Sequence, residues 1–343
     1  AVDIDTKDIE FFKNGSSIYT ATYTTDVEYF PYIYDSSGGR TMDMIVNLGQ
    51  DSSFAGKETP QGNTDDNGVG DFYHAPPSGY LALTTGNLPT PTITAPDDYF
   101  NTLLWAGDGT SDRALTNVGF QPDFSWVKSR SSTQGHVLHD SVRGSDASGL
   151  IPLTSQSTAA ESAFDATWHS NFGSLDSFDS DGFTITDGSL SGSYNTSGSS
   201  YVAWNWLASN GTSSNTDGSI TSTVSANTDA GFSIATYTGT GSATNFGHGL
   251  SQAPDMVIVK RRDGTPSWQV FHTSLGGGKS IELDNTGAAG STTSVWNNTA
   301  PTSSVVHIGT HSGTNTSSGT YVAYSFHSVE GYSKIGSYTG NGS

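Results

Sequence analysis

Three adjacent residues supply the side-chain types of a hydrolase triad. They are His139, Asp140 and Ser141, which would provide a base, a carboxylate and a hydroxyl. Triads, however, are assembled from separated segments, so that the base reaches the nucleophile and is oriented by the third group. Neighbours on a β-strand also point to opposite faces. We therefore expect no catalytic residues here and a structural role for His139.

Two acidic turns have some features of a calcium loop. Residues 63–71 (NTDDNGVGD) place oxygen ligands at alternate positions before a glycine, but position 12 of such a loop falls on His74, where a bidentate Glu is needed. The second turn contains Asp176, Asp179 and Asp181. The composition of both segments is also that of tight Asx and glycine turns. We favour turns and predict no bound metal.

Other catalytic and cofactor patterns are weak. Glycoside hydrolysis needs two carboxylates at a fixed separation, but nothing in the sequence singles out a pair among Glu161, Glu282 and Glu330. Residues 276–280 (GGGKS) lack the spacing of a phosphate-binding loop and predict a hairpin turn. We therefore predict a protein that is not an enzyme and binds no cofactor.

Two tryptophans are candidates for ligand binding. Trp168 and Trp296 each stand beside polar residues, in the segments WHSN and WNNT. Aromatic faces stack on sugar rings as readily as they fill a core. If these two rings are exposed, they would form ligand platforms; the alternative is that both belong to the core.

The composition excludes several classes of protein. A formal net charge of -20 repels the phosphates of nucleic acids and of anionic membranes. The absence of cysteine removes disulfides, thiolate nucleophiles and cysteine-bound metals. No run approaches the roughly 18 apolar residues of a membrane span. We expect no nucleic-acid partner and no membrane insertion.

Alternating and β-branched segments separated by glycine-rich turns predict an all-β fold, built from tandem β-sandwich domains. Residues 155–168 are the one place where one or two helical turns are expected. The predicted strands are residues 9–13, 17–23, 42–48, 124–128, 201–206, 232–237, 256–260 and 321–326.

An internal repeat organises the chain from about residue 100 onward. Residues 121–128 (QPDFSWVK) match residues 253–260 (APDMVIVK), and residues 201–206 (YVAWNW) match residues 321–326 (YVAYSF). In the latter pair the alternation is preserved, with large residues at every second position. We predict that this face of the strand forms the core of each sandwich; its members are Val202, Trp204 and Trp206, and Val322, Tyr324 and Phe326.

These patterns divide the chain into six segments. We predict a β-sandwich region, a Pro-rich linker, a first repeat, a Ser/Thr-rich linker, a second repeat, and a final strand or the start of a third repeat. Their ranges are residues 1–86, 87–99, 100–207, 208–229, 230–329 and 330–343. Ile220 and Val224 could place a strand within the Ser/Thr-rich linker.

The N-terminal region resembles the second half of a SPRY domain, a lectin-like β-sandwich. The similarity is carried by residues 1–5 (AVDID), 9–15 (IEFFKNG), 29–32 (YFPY) and 46–50 (VNLGQ). The earlier strands of that family and an initiator Met are missing, so we expect the chain to be part of a longer protein.

The remainder resembles the repeat modules that follow SPRY-like domains in tail-fibre-like proteins of marine bacteriophages, cyanophages among them. The similar segments are residues 119–124 (GFQPDF), 141–144 (SVRG), 178–183 (FDSDGF), 201–206 (YVAWNW), 329–333 (VEGYS) and 336–340 (GSYTG). The resemblance implies a virion structural protein, a tail fibre or related appendage, located outside the cell.

The same resemblance implies partners. They are other virion proteins and a glycan or protein on the host-cell surface, which tandem weak domains would bind through avidity. It also implies a homo-oligomer, with a trimer as one option, although no coiled-coil heptads support this. The alternatives are a bacterial surface adhesin or filament subunit, a glycan-degrading tailspike enzyme, and a purely structural spacer.

Overall fold

The structure is a computed structural model that describes residues 2–3, 6–14, 16–23, 45, 47–88, 90–190 and 192–341. Most of the predicted strand at residues 42–48, and residues 29–32 of the SPRY resemblance, lie outside the described residues. Two compact units are present, residues 1–90 and residues 91–343. Each is described by itself.

Among its described residues, the first unit contains one three-stranded antiparallel sheet. Its strands are β1 (Val2–Asp3), β2 (Asp8–Lys13) and β3 (Ser16–Thr22), hydrogen-bonded in that order. A 3₁₀ turn at Thr85–Asn87 lies near the end of the unit. The predicted strands at residues 9–13 and 17–23 are confirmed to within one residue.

The second unit begins with a 3₁₀ turn at Pro96–Asp98 and the first copy of the repeat. A five-stranded antiparallel sheet, in the order β10-β7-β6-β13-β4, faces a three-stranded sheet, in the order β11-β12-β5, and β8 pairs with β9. The strands are β4 (Phe100–Ala106), β5 (Arg113–Thr116), β6 (Phe124–Ser129), β7 (Val137–Asp140), β8 (Ser145–Asp146), β9 (Gly149–Leu150), β10 (Leu153–Thr154), β11 (Ser174–Asp179), β12 (Gly182–Thr186) and β13 (Ser200–Trp206).

The helical turns expected at residues 155–168 lie slightly later. They are a 3₁₀ turn at Glu161–Ala163 and helix α1 (Ala166–Phe172), which begins where the Asp165 carboxylate accepts a hydrogen bond from the Trp168 N–H at 3.0 Å.

The second copy has an eight-stranded sheet, in the order β14-β15-β16-β23-β18-β19-β20-β21, and a two-stranded sheet, β17-β22. Its elements are β14 (Ser213–Asn215), β15 (Ser222–Asn227), β16 (Phe232–Thr238), β17 (Thr244–Gly247), β18 (Met256–Arg261), β19 (Gln269–His272), β20 (Lys279–Glu282), β21 (Gly290–Ser291), β22 (Val305–Ile308), the short helix α2 (Ser312–Asn315) and β23 (Thr320–Phe326).

The segment predicted as a Ser/Thr-rich linker, residues 208–229, is largely part of this sheet. Strands β14 and β15 lie within it, and β15 pairs antiparallel with β16. Threonine and serine are acceptable strand residues, and Val224 is buried in the core of the second copy. The polar composition was therefore a poor guide to an extended linker.

The internal repeat is confirmed in three dimensions by matching buried hydrogen bonds. Tyr201 accepts a bond from the Thr196 backbone N–H at 3.0 Å, and Tyr321 accepts the equivalent bond from Thr316 at 2.6 Å. Both tyrosines are fully buried. Each hydroxyl therefore fixes the loop that precedes its own strand in the same way in both copies.

Three large apolar cores hold the described part of the second unit together, beside a small cluster of Ile93, Ala230 and Val329. The inner core of the first copy includes Trp105, Val127, Leu175, Phe183, Tyr201 and Ala203, and that of the second includes Val224, Phe246, Val259, Trp296, Tyr321 and Ala323. The third, which we name the inter-copy core, draws from both copies and includes Phe124, Leu138, Leu153, Phe164, Phe232, Ile258, Trp268, Val322 and Tyr324.

The inter-copy core corrects our prediction for the late strands. Tyr201 and Ala203 lie in the inner core of the first copy, so the alternate residue Trp206 faces the second copy. The same holds for Val322 and Tyr324 in the second copy. The two large sheets thus pack against each other, and the copies form four β-layers in contact.

No helix among the described residues is both long and apolar enough to cross a membrane.

Candidate functional site

A buried polar network crosses the inter-copy core. The Asp140 carboxylate contacts the Arg143 guanidinium within the first copy and accepts a hydrogen bond from the Tyr324 hydroxyl of the second at 2.6 Å. Glu161 binds Arg143 at 3.0 Å and Arg262, from the second copy, at 2.8 Å. Two carboxylates of the first copy, Asp140 and Glu161, are therefore each paired with a polar group of the second.

Burial and the neighbouring charges together set the charge states of Arg143 and Tyr324. It opposes the charge on Arg143, but the carboxylates of Asp140 and Glu161 outweigh it and raise the pKa of Arg143. Burial, reinforced by Asp140, raises the pKa of Tyr324 well above its usual value. The guanidinium stays charged and the phenol stays protonated as a donor, so the network fixes how the two copies dock.

The triad-like sequence is not a triad. The ring of His139 contacts the Tyr194 hydroxyl at 2.8 Å and the Leu150 carbonyl at 3.1 Å, and its burial lowers its pKa well below the usual value. Asp140 belongs to the inter-copy network, whereas Ser141 donates to Asp123 at 2.6 Å. The three side chains have separate partners and do not meet.

The first acidic turn uses its central carboxylate to organise the loop. Burial disfavours the charge on Asp65, yet hydrogen bonds from the backbone of Ala82 and Val69 and from the Asn87 amide lower its pKa to about 2. The bond to Ala82 measures 2.8 Å and that to Asn87 2.6 Å. Both oxygens of Asp65 are therefore bound by the chain itself.

The second acidic turn is similar. Asp179 accepts bonds from Ser177 at 2.8 Å and from Thr184 at 2.7 Å, and Asp181 accepts the Gly119 N–H at 2.7 Å. Each carboxylate faces its own local donors. Within the described ranges, no group of three or more His, Asp or Glu side chains has the arrangement of a metal site.

The two tryptophans predicted as ligand platforms lie in different surroundings. Trp296 is 1% exposed and packs edge-to-face on Phe271, so its ring offers no accessible face. Trp168 is half-buried, contacts Phe164 and Phe172, and touches both the inner core of the first copy and the inter-copy core. The hypothesis that Trp296 is a ligand platform is wrong, because its ring lies in the core of the second copy. Trp168 packs between the inner core of the first copy and the inter-copy core.

The polar neighbours of Trp296 have another cause. Asn297 and Asn298 adopt left-handed backbone conformations, with φ of 52° and 51°, which asparagine tolerates better than most residues. These residues therefore serve a turn. Their polarity carries no information about the exposure of the adjacent ring.

A different aromatic cluster reaches the surface. We name it the aromatic patch and define it as Trp126, His136 and Trp204. Trp126 on β6 lies directly opposite Trp204 on β13 in the strand register, and His136 immediately precedes β7. All three side chains are partly exposed. The patch lies on the same face of the five-stranded sheet as Phe124 and Trp206, beside the inter-copy core.

Hydrogen bonding and ring contacts hold the patch in place. Trp126 Nε1 donates to His136 Nδ1 at 2.8 Å, and the His136 ring lies 13° from parallel to Trp204 with 6.5 Å between centroids. Burial, and then the charge of Lys128, lower the pKa of His136. The imidazole is therefore neutral at pH 7, and because Nδ1 accepts, its proton resides on Nε2.

The patch is exposed in only one copy. The corresponding residues of the second copy are Ile258, Gln269 and Tyr324, with 7%, 2% and 1% of their surface exposed. These residues are covered in the packed repeat pair. In the first copy the same positions carry two indole rings and an imidazole and stay partly exposed.

Sequence reasoning missed this site because it assigned Trp204 to a sandwich core and did not single out Trp126 or His136. Lys128 shares a strand face with Trp126, and its Nζ donates to the carbonyls of Ser129 at 2.5 Å and Ser132 at 3.0 Å. This lysine gave no signal of an exposed site, because the equivalent Lys260 of the second copy is fully buried.

Residues 95–343 match the profile of DUF7483, a domain of unknown function, and the chain belongs to that family. No curated protein and no solved structure shows significant similarity to the chain.

Proposed function

We propose that this chain is a structural and adhesive protein of a bacteriophage virion, a tail fibre or related appendage, that binds glycans on the host-cell surface without modifying them. The virion assignment rests on the sequence resemblance described above. The adhesive role rests on one structural observation, the aromatic patch.

The chemistry of the patch fits a neutral sugar. Indole faces pack against the apolar C–H faces of a pyranose ring, while the Nε2–H of neutral His136 can donate to a hydroxyl. The amine of Lys128, on the same strand face as Trp126, is bound to backbone carbonyls, so it is already engaged and does not favour a carboxylate or phosphate ligand. A neutral hexose is the ligand class that we propose.

The test is binding of the intact chain to a glycan array and to a panel of marine bacteria. We expect selective binding that falls about tenfold for Trp126→Ala and again for Trp204→Ala, because truncating a central aromatic contact typically costs about 1–2 kcal/mol. Tyr338→Ala is the matched control, since this ring is 95% exposed and lies outside the patch.

Two results would contradict the proposal. If the chain binds no glycan and no cell, it has no adhesive role of this kind. If the chain binds but both tryptophan variants retain full affinity while the Tyr338 variant loses it, the ligand site lies elsewhere. Melting curves of each variant separate loss of binding from loss of folding.

A further inference from the structure

The exposed surface around the aromatic patch continues to the edge of the five-stranded sheet. In the strand register Trp126 on β6 lies opposite Trp204 on β13, and Trp204 lies opposite Thr102 on β4, so the three side chains point to the same face. Thr102 is exposed, and Leu104, two residues further along the same face of β4, is 58% exposed. Neighbouring strands lie about 4.8 Å apart, so this surface extends about 10 Å from β6 to β4.

This surface is uncharged apart from one lysine. The sequences of β4, β6 and β13 contain no carboxylate, although the whole chain carries 33 Asp and Glu against 13 Lys and Arg. Their one charged residue is Lys128, whose amine is bound to the carbonyls of Ser129 and Ser132. Apolar and neutral polar groups make up the rest of the surface, which suits a neutral ligand.

Three polar groups lie on this surface and are available to a ligand. Nε1 of Trp204 and Nε2 of His136 have no hydrogen-bond partner among the described residues, and both can donate. The hydroxyl of Thr102 is likewise unpaired there and can donate or accept. The indole faces and the Leu104 side chain supply apolar contact beside these groups. A ligand that fits must combine apolar faces with hydroxyl or ether oxygens, as a chain of pyranose rings does.

We propose that this surface binds two consecutive rings of a linear, neutral oligosaccharide, one on the aromatic patch and the next over Thr102 and Leu104. The inference rests on the proposed function, because it assigns the length of the ligand at the same site. Two pyranose rings in an extended chain measure about 10 Å, the distance from β6 to β4. Thr102 and Leu104 are therefore the residues that select an oligosaccharide over a single sugar.

The second copy does not repeat this site. The residues equivalent to Thr102, to Trp126 and to Trp204 are covered there. They are Ile234, Ile258 and Tyr324, with 0%, 7% and 1% of their surface exposed. The described repeat pair therefore carries one two-ring site of this kind, and one oligosaccharide should bind per chain.

The dependence of binding on the length of the sugar chain tests the proposal. The ligands are β-1,4-linked glucose, mannose and galactose, each as a monosaccharide and as chains of two, three and four rings, titrated into the full chain by calorimetry or NMR. In at least one series we expect the dissociation constant to fall about tenfold or more from one ring to two, and to change by about twofold or less with further rings. The expected stoichiometry is one.

Two variants locate the second ring. Leu104→Ala and Thr102→Ala should each weaken disaccharide binding about fivefold or more and monosaccharide binding much less, whereas Trp204→Ala should weaken both. Leu190→Ala is the matched control for Leu104, since Leu190 is 56% exposed and lies in a loop. Melting curves show whether each variant is folded.

The outcomes separate the two proposals. A monosaccharide that binds as tightly as the longer chains, with loss of binding in Trp204→Ala, would overturn the two-ring site and leave the adhesive function in place. A gain with chain length that Leu104→Ala and Thr102→Ala both retain would put the second ring elsewhere and overturn the site as well. If no member of the three series binds, both the two-ring site and the neutral-hexose ligand are wrong.

Discussion

At the scale of single residues, each copy uses one lysine to hold the loop after its central strand. Lys260 is fully buried, and its Nζ donates to the carbonyls of Arg261 at 2.8 Å, Gly264 at 3.0 Å and Pro266 at 3.3 Å. Lys128 makes equivalent bonds in the first copy. The lysine of the repeated sequence is thus a structural residue, and burial lowers the pKa of Lys260 to about 8.

This depressed pKa predicts how stability changes with pH. Between pH 8 and the ordinary lysine value of about 10.4, the unfolded chain binds more protons at this site than the folded chain. The Lys260 contribution to the free energy of unfolding therefore rises with pH through that window. We expect a gain of about 1–2 kcal/mol between pH 7.5 and 9.5, measured by urea denaturation.

Lys260→Met should abolish this gain while lowering stability at pH 7.5, because three carbonyls lose their donor. Lys279→Met, at an exposed position, should leave both the gain and the stability unchanged. If the stability of Lys260→Met changes from pH 7.5 to 9.5 by the same amount as that of the wild type and of Lys279→Met, this role of Lys260 is wrong.

At the scale of elements, the loops before the last strand of each copy depend on a buried asparagine. The amide oxygen of Asn315 accepts the Thr240 N–H at 2.7 Å, and its amide nitrogen donates to the carbonyls of Ser242 at 2.7 Å and Gly309 at 2.6 Å. Asn195 binds the corresponding loop of the first copy, including Asp108 and Thr110. In each copy one asparagine therefore joins the loop before the last strand to the loop that follows β4 or β16.

We predict that Asn315→Ala lowers the free energy of unfolding by about 2–4 kcal/mol, because it leaves several buried backbone groups without partners. Asn315→Asp keeps the acceptor, but the ionised carboxylate has no donor. At a pH low enough to protonate the new carboxyl, one donor returns, so the loss of stability there should be large but smaller than that of Asn315→Ala. Thermal or urea unfolding measures both. Equal stability of the wild type and Asn315→Ala would refute the role of this side chain.

Much of the element-level structure was predictable because period-two alternation and repeated segments are local signals. The strands around Phe124, Tyr201, Met256 and Tyr321, and the hairpin turn at residues 276–280, lie where the sequence placed them. Alternation shows that a strand has two unlike faces, but not what covers each. The sequence could therefore not show that Trp206 faces the other copy, or that Trp126 and Trp204 remain partly exposed.

At the scale of the whole molecule, the shared core makes the two copies one structural unit. Phe124 of the first copy packs on Tyr324 of the second with 4.6 Å between centroids, and Trp268 of the second donates to the Thr154 carbonyl of the first at 3.1 Å. Separating the copies would expose these rings, leave Asp140 without the Tyr324 hydroxyl and leave Glu161 without Arg262. Two domains joined only by a flexible linker would lose no such contacts on separating.

The copies should consequently unfold together, and Leu175→Ala tests this. Leu175 is fully buried in the inner core of the first copy, so its truncation should cost about 3 kcal/mol. If residues 91–343 unfold as one, hydrogen exchange should accelerate roughly a hundredfold in the slowest amides of both β13 and β23. Acceleration confined to the first copy would show independent folding. Leu190→Ala, at an exposed position, should change neither strand.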